Sequence, residues 1–544
     1  MRERDRPDLP RREFLRRSGA WAGATGAAIA GLARPAASVG ASRSVVAHTR
    51  AGPVRGSIEQ GVHLFKGVRY GADTAIRRFM PPLPPSPWST VQDATRYGPG
   101  CPQRGPSGDP ESEDCLFLNV WTPGLRDGGA RPVLFYIHGG AFDEGSGSSP
   151  LYDGTRLCRC GDVVVVTVNH RLNAFGYLYL RQLAAAHYAD SGNVGMLDLI
   201  LALRWVRDNI AGFGGDPRRV MVFGQSGGGA KIATLMAMPA AKGLFHRAAT
   251  MSGEQITASG PLHATQRAQA FLEALRIPDG EAERVANLPT GRLVEALTAF
   301  DPVIGHGGIY FGPVLDERSL RRHPFYPDAP PQSAAVPMMI GNVHDETRNL
   351  IGGSDPHTFQ LTWEGLAAAL AKEMRADILP EYVIAEYRRL HPGASASDVF
   401  FAATTASRSW RPSIIEAELR AAQHSPAFVY QLDWRSPEEG GKWGTPHGTD
   451  IPLVFGNLEA RTDLKGTQIG SGGRARRMAA RMGDAFIAFA RNGDPNTRGL
   501  PAWERYELPR RRTMLLDDVS RLVDDPRGAE RRLFAQVPYI QQGT

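Results

Sequence analysis

Two hydrophobic patterns alternate along the chain. Short continuous apolar runs at 116–121, 132–137, 163–168, 220–223, 336–341 and 428–433 predict strands, with those at 132–137 and 163–168 buried on both faces. Elsewhere apolar positions recur at steps of three and four. Leu197, Ile200, Leu201, Leu203 and Val206 predict a helix over 197–210 that stops at Gly212, and Gly214-Gly215-Asp216-Pro217 is the turn into the next strand. Residues 231–238 and 479–490 also read as helices, and 257–300 and 358–390 as mostly helical. Residues 45–65 predict paired strands with a turn, 80–88 a proline-rich loop, and 514–516 a late short strand. Strands alternating with helices predict an α/β fold whose mostly parallel central sheet is flanked by helices and carries large helical insertions. Neither an internal repeat nor a long low-complexity linker interrupts residues 42–544, which therefore read as one domain.

The first 41 residues follow a different pattern. Arg11-Arg12-Glu13-Phe14-Leu15-Arg16 is a twin-arginine pattern, followed by an Ala/Gly-rich, weakly hydrophobic stretch over 18–33. Small residues suited to cleavage follow at Val39-Gly40-Ala41, with 33–37 as an earlier option. Ala and Gly contribute little to membrane transfer, and no later stretch is apolar for long enough to span a bilayer. The expectation is an exported protein with no stable membrane insertion of its mature chain. This segment also changes the meaning of the charge. The chain of 544 residues carries a formal +7, but residues 1–41 hold eight Arg against four acidic residues, leaving +3 for the remainder. That remainder has no basic run with interleaved aromatics, which excludes a nucleic-acid partner. A hydrophobic content of 42% and a charged content of 22% are ordinary for a globular chain. Of four cysteines, Cys101 and Cys115 bracket a short polar loop, and Cys158 and Cys160 read as a buried small residue or free thiols. No His or further Cys lies near them to complete a metal site. No metal or organic cofactor is expected.

The candidate chemistry begins at Gly224-Gln225-Ser226-Gly227-Gly228, between the apolar strand and the helix. A serine squeezed there by glycines is the sequence form of a nucleophile elbow, in which a side chain two residues before or after Ser226 would collide with its neighbours. Such a serine needs a base, a group to orient the base, and donors for an oxyanion. The donors are offered by His138-Gly139-Gly140-Ala141-Phe142, directly after the strand at 132–137, so that Gly140, Ala141 and Gly227 form the candidate oxyanion hole. The candidate base is His447, on the Gly/Pro-rich loop Thr445-Pro-His-Gly-Thr-Asp450, with His344 and His246 as rivals. His138 reads as shaping its own loop. The candidate acid is Glu346 in Gly341-Asn-Val-His-Asp-Glu-Thr347, with Asp345 as the neighbouring alternative. The residues alone do not choose between the two.

These and other stretches, taken together, resemble the type-B carboxylesterases, the branch of the α/β-hydrolase superfamily that also holds the cholinesterases. The matching motifs are Phe65-Lys-Gly-Val-Arg-Tyr70, Arg78-Phe-Met-Pro-Pro82, Glu113-Asp-Cys-Leu-Phe-Leu-Asn-Val120, His138-Gly-Gly-Ala-Phe142 and Val168-Asn-His-Arg-Leu172. They continue with Asn193-Val-Gly-Met-Leu-Asp198, 202–217, 224–229, Gly243-Leu-Phe-His-Arg-Ala248, Met251-Ser-Gly253, Asp345-Glu346, 447–456 and Phe489-Ala-Arg-Asn-Gly-Asp-Pro495. They occur in the family's order over nearly the whole chain after residue 41. The resemblance implies the α/β-hydrolase fold, a triad of Ser226, Glu346 rather than Asp345, and His447, and a disulfide between Cys101 and Cys115. Such a bridge would close a loop of about 15 residues, worth roughly 3 kcal/mol.

Three departures bear on substrate. Gln225 stands where the family usually has Glu, which removes a negative charge beside the site. The 101–115 loop lacks the tryptophan with which cholinesterases bind choline. Ala141 replaces a third glycine of the oxyanion loop. The expectation is an exported serine ester hydrolase acting on small or medium neutral esters through an acyl-enzyme. A carbamate, amide or lactone hydrolase using the same triad, and a non-catalytic binding protein of the same fold, are the alternatives. Residues 304–311 are a candidate lining of the acyl pocket. Oligomeric state is left open.

Overall fold

In the computed structural model residues 43–105, 109–305 and 307–544 are described, and the expected export segment at 1–41 lies outside them. Thirteen strands form one sheet: β1 (Arg43–His48), β2 (Pro53–Glu59), β3 (Val62–Arg69), β4 (Gln92–Asp93), β5 (Phe117–Thr122), β6 (Arg131–Ile137), β7 (Val164–Val168), β8 (Gly215–Gln225), β9 (Arg247–Met251), β10 (Met338–Val343), β11 (Ala427–Leu432), β12 (Arg512–Leu516) and β13 (Arg521–Asp524). Their order is β1-β2-β3-β5-β7-β6-β8-β9-β10-β11-β12-β13, with β4 beside β2. From β7 to β12 every neighbouring pair is parallel, and the antiparallel pairs are confined to the two ends. The mostly parallel α/β sheet expected from the hydrophobic runs is therefore present.

The runs bury as their pattern demands. From Val133 to Ile137 every side chain is fully buried, as are Val164, Val165 and Val166 on β7 and Val220 to Phe223 on β8. Each such side chain contributes about 1.5–3 kcal/mol relative to exposure. Apolar residues separate to the two faces into two large clusters, one holding Phe135 and Val222 and the other Leu134 and Phe223. The helices Val194–Asn209 and Gly473–Asn492 cover the sheet, longer than the predicted 197–210 and 479–490. The predicted helix at 231–238 starts earlier, as Gly227–Ala237, so that it begins directly behind Ser226. The helical insertions lie between β9 and β10 (Pro261–Ala274, Thr290–Ala296) and between β10 and β11 (Trp363–Glu373, Pro380–Leu390, Ala396–Thr405, Arg411–Ala422).

Two motif residues far apart in sequence fasten the loop after β7. Arg171 donates through Nη2 and Nε to Asp198 at 2.7 and 2.9 Å, and its backbone N–H donates to the same carboxylate at 3.0 Å. Both side chains are buried. Removing one partner of such a pair typically costs about 3–5 kcal/mol, because the other charge stays behind unpaired.

The expected Cys101–Cys115 disulfide is not formed. Both residues are buried free thiols. They remain neighbours, since hydrogen bonding to Cys101 and then burial push the Cys115 thiol up. The Leu172 N–H donates to Cys101 Sγ at 3.3 Å, so the pair is held by hydrogen bonds rather than a covalent staple. Cys158 is buried and Cys160 exposed, both as free thiols.

Candidate active site

The site is assembled at the carboxyl ends of β6, β8, β10 and β11, the end at which open α/β sheets bind ligands. Ser226 follows β8 with φ 56° and ψ −127°, a conformation rare for a residue with a side chain. Its N–H donates to Met251 O at 2.8 Å, and its carbonyl accepts from Ala230 N–H at 3.1 Å. The flanking glycines are required by contact. A Cβ on Gly224 would lie 2.6 Å, and one on Gly228 2.0 Å, from the Ile137 carbonyl oxygen. The collision expected two residues either side of the serine is with the end of β6, the strand that leads into the candidate oxyanion loop.

That loop turns through Gly140 and Ala141, with φ of 79° and 49°. Its backbone touches the elbow, because a Cβ on Gly227 would come within 2.0 Å of Ala141 O. Among the described residues the Gly140 and Ala141 N–H groups have no acceptor. Gly227 opens a helix, where N–H groups lack intrahelical partners. Three unengaged donors thus meet beside Ser226. Lys231, wholly buried, supports the loop from below, donating through Nζ to Ala141 O at 2.6 Å and His138 O at 3.3 Å. Burial pulls its ammonium down to about 7.

His447 and Glu346 meet across 101 residues, with Nδ1 2.5 Å from Oε2. The other Glu346 oxygen accepts from Val343 N–H at 3.0 Å. Asn349, one helical turn on, clamps the histidine loop from both sides: its Oδ1 accepts from His447 N–H at 3.0 Å, and its Nδ2 donates to His447 O at 2.9 Å. Asp345 points elsewhere. It accepts from Thr445 N–H at 2.9 Å and sits 3.3 Å from His344 Nδ1, a ring that is half exposed. It therefore steadies the histidine loop, while Glu346 faces the ring. The other histidines have different partners. His246 Nδ1 accepts from Val220 N–H at 3.3 Å. His138 is pushed down to about 3 by burial and then by Lys231, with Nδ1 2.9 Å from Gly139 O.

The sequence puts Gln225 beside the site but shows neither its contact with the His447 ring nor the neighbouring Asp450. Gln225, buried, brings Nε2 within 3.0 Å of His447 Nε2, so it touches the base itself as well as altering charge. Asp450 lies behind Glu346, pushed up to about 7 by burial and then by the Glu346 charge, and accepts from Tyr430 O–H at 3.1 Å. A cavity of about 260 Å³ opens over Ser226, His447, Ala141 and Gly227. Its lining also holds Glu254, Arg375 and Arg408, and residues Tyr539, Gln541 and Gln542 near the C-terminus. Of the 304–311 stretch, Tyr310 lines this cavity, while the neighbouring residues line an adjoining one of about 220 Å³. Among the described residues no group of three metal-ligating side chains occurs, and no helix is long and apolar enough to cross a membrane.

The arrangement can carry out acyl transfer: a hydroxyl that lines the cavity on a strained turn, an imidazole fixed by a carboxylate, and three N–H donors. Comparison with known proteins points to ester hydrolysis. The model described as "Carboxylesterase family" matches residues 43–531. The chain is 34% identical to the para-nitrobenzyl esterase of Bacillus subtilis (strain 168), over 89% of this chain and 97% of that one. It is 33% identical to the phenmedipham hydrolase of Pseudarthrobacter oxydans, over 89% and 96%. Among solved structures, the Geobacillus stearothermophilus carboxylesterase at pH 6.2 superposes with a TM-score of 0.79 at 37% identity, covering 90% of this chain and 99% of its own.

Proposed function

The chain belongs to the carboxylesterase family and is an ester hydrolase of the serine class, and from that premise we propose that Ser226, His447 and Glu346 carry the reaction through an acyl-enzyme. The observation that carries the assignment is the meeting of His447 Nδ1 and Glu346 Oε2 at 2.5 Å in the cavity that Ser226 enters. Glu346 holds the proton on Nδ1, which leaves the Nε2 lone pair, met by the Gln225 amide at rest, to accept one. Ser226 Oγ attacks the ester carbonyl while His447 takes its proton. The carbonyl electron pair moves onto oxygen, stabilised by the N–H groups of Gly140, Ala141 and Gly227. Protonated His447 then gives its proton to the departing alkoxide, which leaves as the alcohol. Water attacks the acyl-serine by the same route, releasing the carboxylic acid and restoring Ser226. None of these steps calls on a metal or organic cofactor.

The cavity volume of about 260 Å³ supports substrates of small to medium size. The arginine pair and small-residue stretch near the N-terminus support export through a twin-arginine route. A fluorophosphonate probe tests the nucleophile: labelling is expected at Ser226, and Ser226→Ala should lose both the label and aryl-ester hydrolysis by something near 10⁶-fold. An unlabelled Ser226 would favour a binding protein of the same fold. Fusion of residues 1–41 to a reporter tests the route, and transport that survives Arg11→Lys together with Arg12→Lys would count against it.

A further inference from the structure

Two arginines share the cavity wall with Ser226 and take no part in the chemistry above. Arg375 follows the helix Trp363–Glu373, and Arg408 sits in Ala406–Trp410, the single π-helical segment among the described residues. Such segments cost helix geometry and occur frequently at functional sites. This one turns Arg408 and Ser409 to the cavity. Arg408 is paired with Glu373 at 2.8 Å. Arg375 has no carboxylate within ion-pair distance among the described residues. Its guanidinium donates to Gln542 Oε1, and its own carbonyl accepts from Ile540 N–H at 3.2 Å. The chain near the C-terminus thus holds, in the cavity lining, a guanidinium that has no ion pair among the described residues. That segment is itself anchored, with Gly543 O accepting from Arg267 Nη1 at 2.8 Å and Gln541 Oε1 from Ile256 N–H at 2.9 Å.

Glu254, in the same lining, makes no ion pair with Arg375 among the described residues and takes its hydrogen bond from a serine. Its Oε1 lies 2.5 Å from Ser413 Oγ, whose other neighbour is the Ser409 carbonyl oxygen at 3.0 Å. The hydroxyl donates to Glu254, which is therefore held by Ser413 rather than by a cation. Burial pushes the Glu254 carboxyl up, against the opposing pull of the Ser413 hydrogen bond and of Arg375. Burial and then repulsion by Arg375 pull the Arg408 guanidinium down to about 10, which a bound anion would relieve.

We infer that this wall recognises a carboxylate, so that the preferred substrates are esters bearing a free carboxylate in their acyl or alcohol half. A guanidinium offers forked N–H donors that match a carboxylate. The inference rests on the esterase reading and revises its expectation of neutral substrates. That expectation came from Gln225, which removes an anion beside the serine but says nothing of cations elsewhere in the cavity lining.

The test uses the full chain and two matched pairs: mono-para-nitrophenyl adipate against para-nitrophenyl hexanoate, and para-acetoxybenzoate against para-tolyl acetate. Each kcat/KM is divided by the rate of uncatalysed hydrolysis. The charged member of at least one pair is expected to lead by about tenfold or more, chiefly through KM, with the lead shrinking as salt is added. Arg375→Gln should reduce that ratio about tenfold and Arg375→Lys retain part of it, with active sites counted by fluorophosphonate labelling. Charged members no better than neutral ones in both pairs, or a ratio that survives Arg375→Gln, would overturn the inference. The wild-type ratios and their salt dependence decide the matter even if a variant fails to fold. If no ester is turned over and Ser226 takes no label, the esterase reading fails instead.

Discussion

Gln225 Nε2 lies 3.0 Å from His447 Nε2, on the ring nitrogen remote from Glu346. Because Glu346 keeps the ring proton on Nδ1, Nε2 is the acceptor and the Gln225 amide the donor. In the proposed mechanism the same lone pair takes the Ser226 proton during acylation. Gln225 therefore competes for the base in the resting site and releases it when the serine engages. A neutral amide can do this without changing the charge on the imidazole. A carboxylate at the same position could not.

This gives the first prediction. In Gln225→Glu a carboxylate beside the imidazole favours its protonated form, which cannot act as the base. The acid limb of kcat/KM should move to higher pH, by about one unit for an opposite charge this near. Esters of cationic alcohols should gain relative to neutral ones. The pH–rate profile with an aryl ester checks the first effect, and an unmoved limb would mean that the contact is absent in solution.

Glu346 and Asp345 should separate cleanly. Glu346→Gln removes the acceptor that holds the proton on Nδ1 and should lower kcat by about 10³–10⁴-fold, the scale of losing the tautomer in a serine triad. Asp345→Asn weakens the bond to Thr445 N–H and the contacts to His344 and Arg348. It should lower kcat less than about tenfold while destabilising the loop by about 1–3 kcal/mol. Steady-state kinetics and thermal unfolding on both variants decide the matter, and equal losses of kcat would place the acid wrongly.

This pair shows where the sequence stops being legible. Two adjacent carboxylates after a strand have the same chemistry and the same local pattern. Which one faces His447 depends on the turn into the helix Thr347–Leu350, and periodicity does not report that turn. The strands β5 to β8 and β10 to β12 were readable because buried strands leave continuous apolar runs, and the elbow because its glycines answer a contact with Ile137. β9 and β13, short and flanked by Arg247 and Arg521, were not read as strands. The cavity wall was equally hidden. Arg375, Arg408 and Gln542 are far apart in sequence, and only the docking of the helical insertions brings them together.

The elbow contact carries a steric prediction. Gly228→Ala would press a methyl group against the Ile137 carbonyl oxygen, where a Cβ has 2.0 Å. Strand β6 cannot yield without moving the oxyanion loop, so stability should fall by about 2–4 kcal/mol or more and activity with it. Gly260→Ala is the control, since nothing lies within 4 Å of its Cβ, and it should change stability by less than about 1 kcal/mol. Denaturant unfolding of the two variants compares them, and a Gly228→Ala protein as stable as the control would remove the steric account of the motif.

Lys231 joins the oxyanion loop to a pH dependence of folding. Burial lowers its ammonium from 10.5 to about 7, so between those values the unfolded chain binds more protons than the folded one. Stability then rises with pH across that window, and below it the full penalty of a buried charge is present. Asp143, pushed up to about 7 by burial and then by Glu144, works in the opposite sense at lower pH, because there the folded chain binds the extra proton. Lys231→Met removes only the first effect, and without the cation Asp143 should titrate higher still. Thermal unfolding should therefore show a rise above pH 7 in the wild type that is missing from the variant. The Ala141 and His138 carbonyls would also lose their donor. The loop they hold should then tilt its N–H groups away from the oxyanion, lowering kcat by about 10²-fold with little change in KM. Parallel stability curves, or an unchanged kcat, would show that Lys231 fills space beneath the loop without holding it.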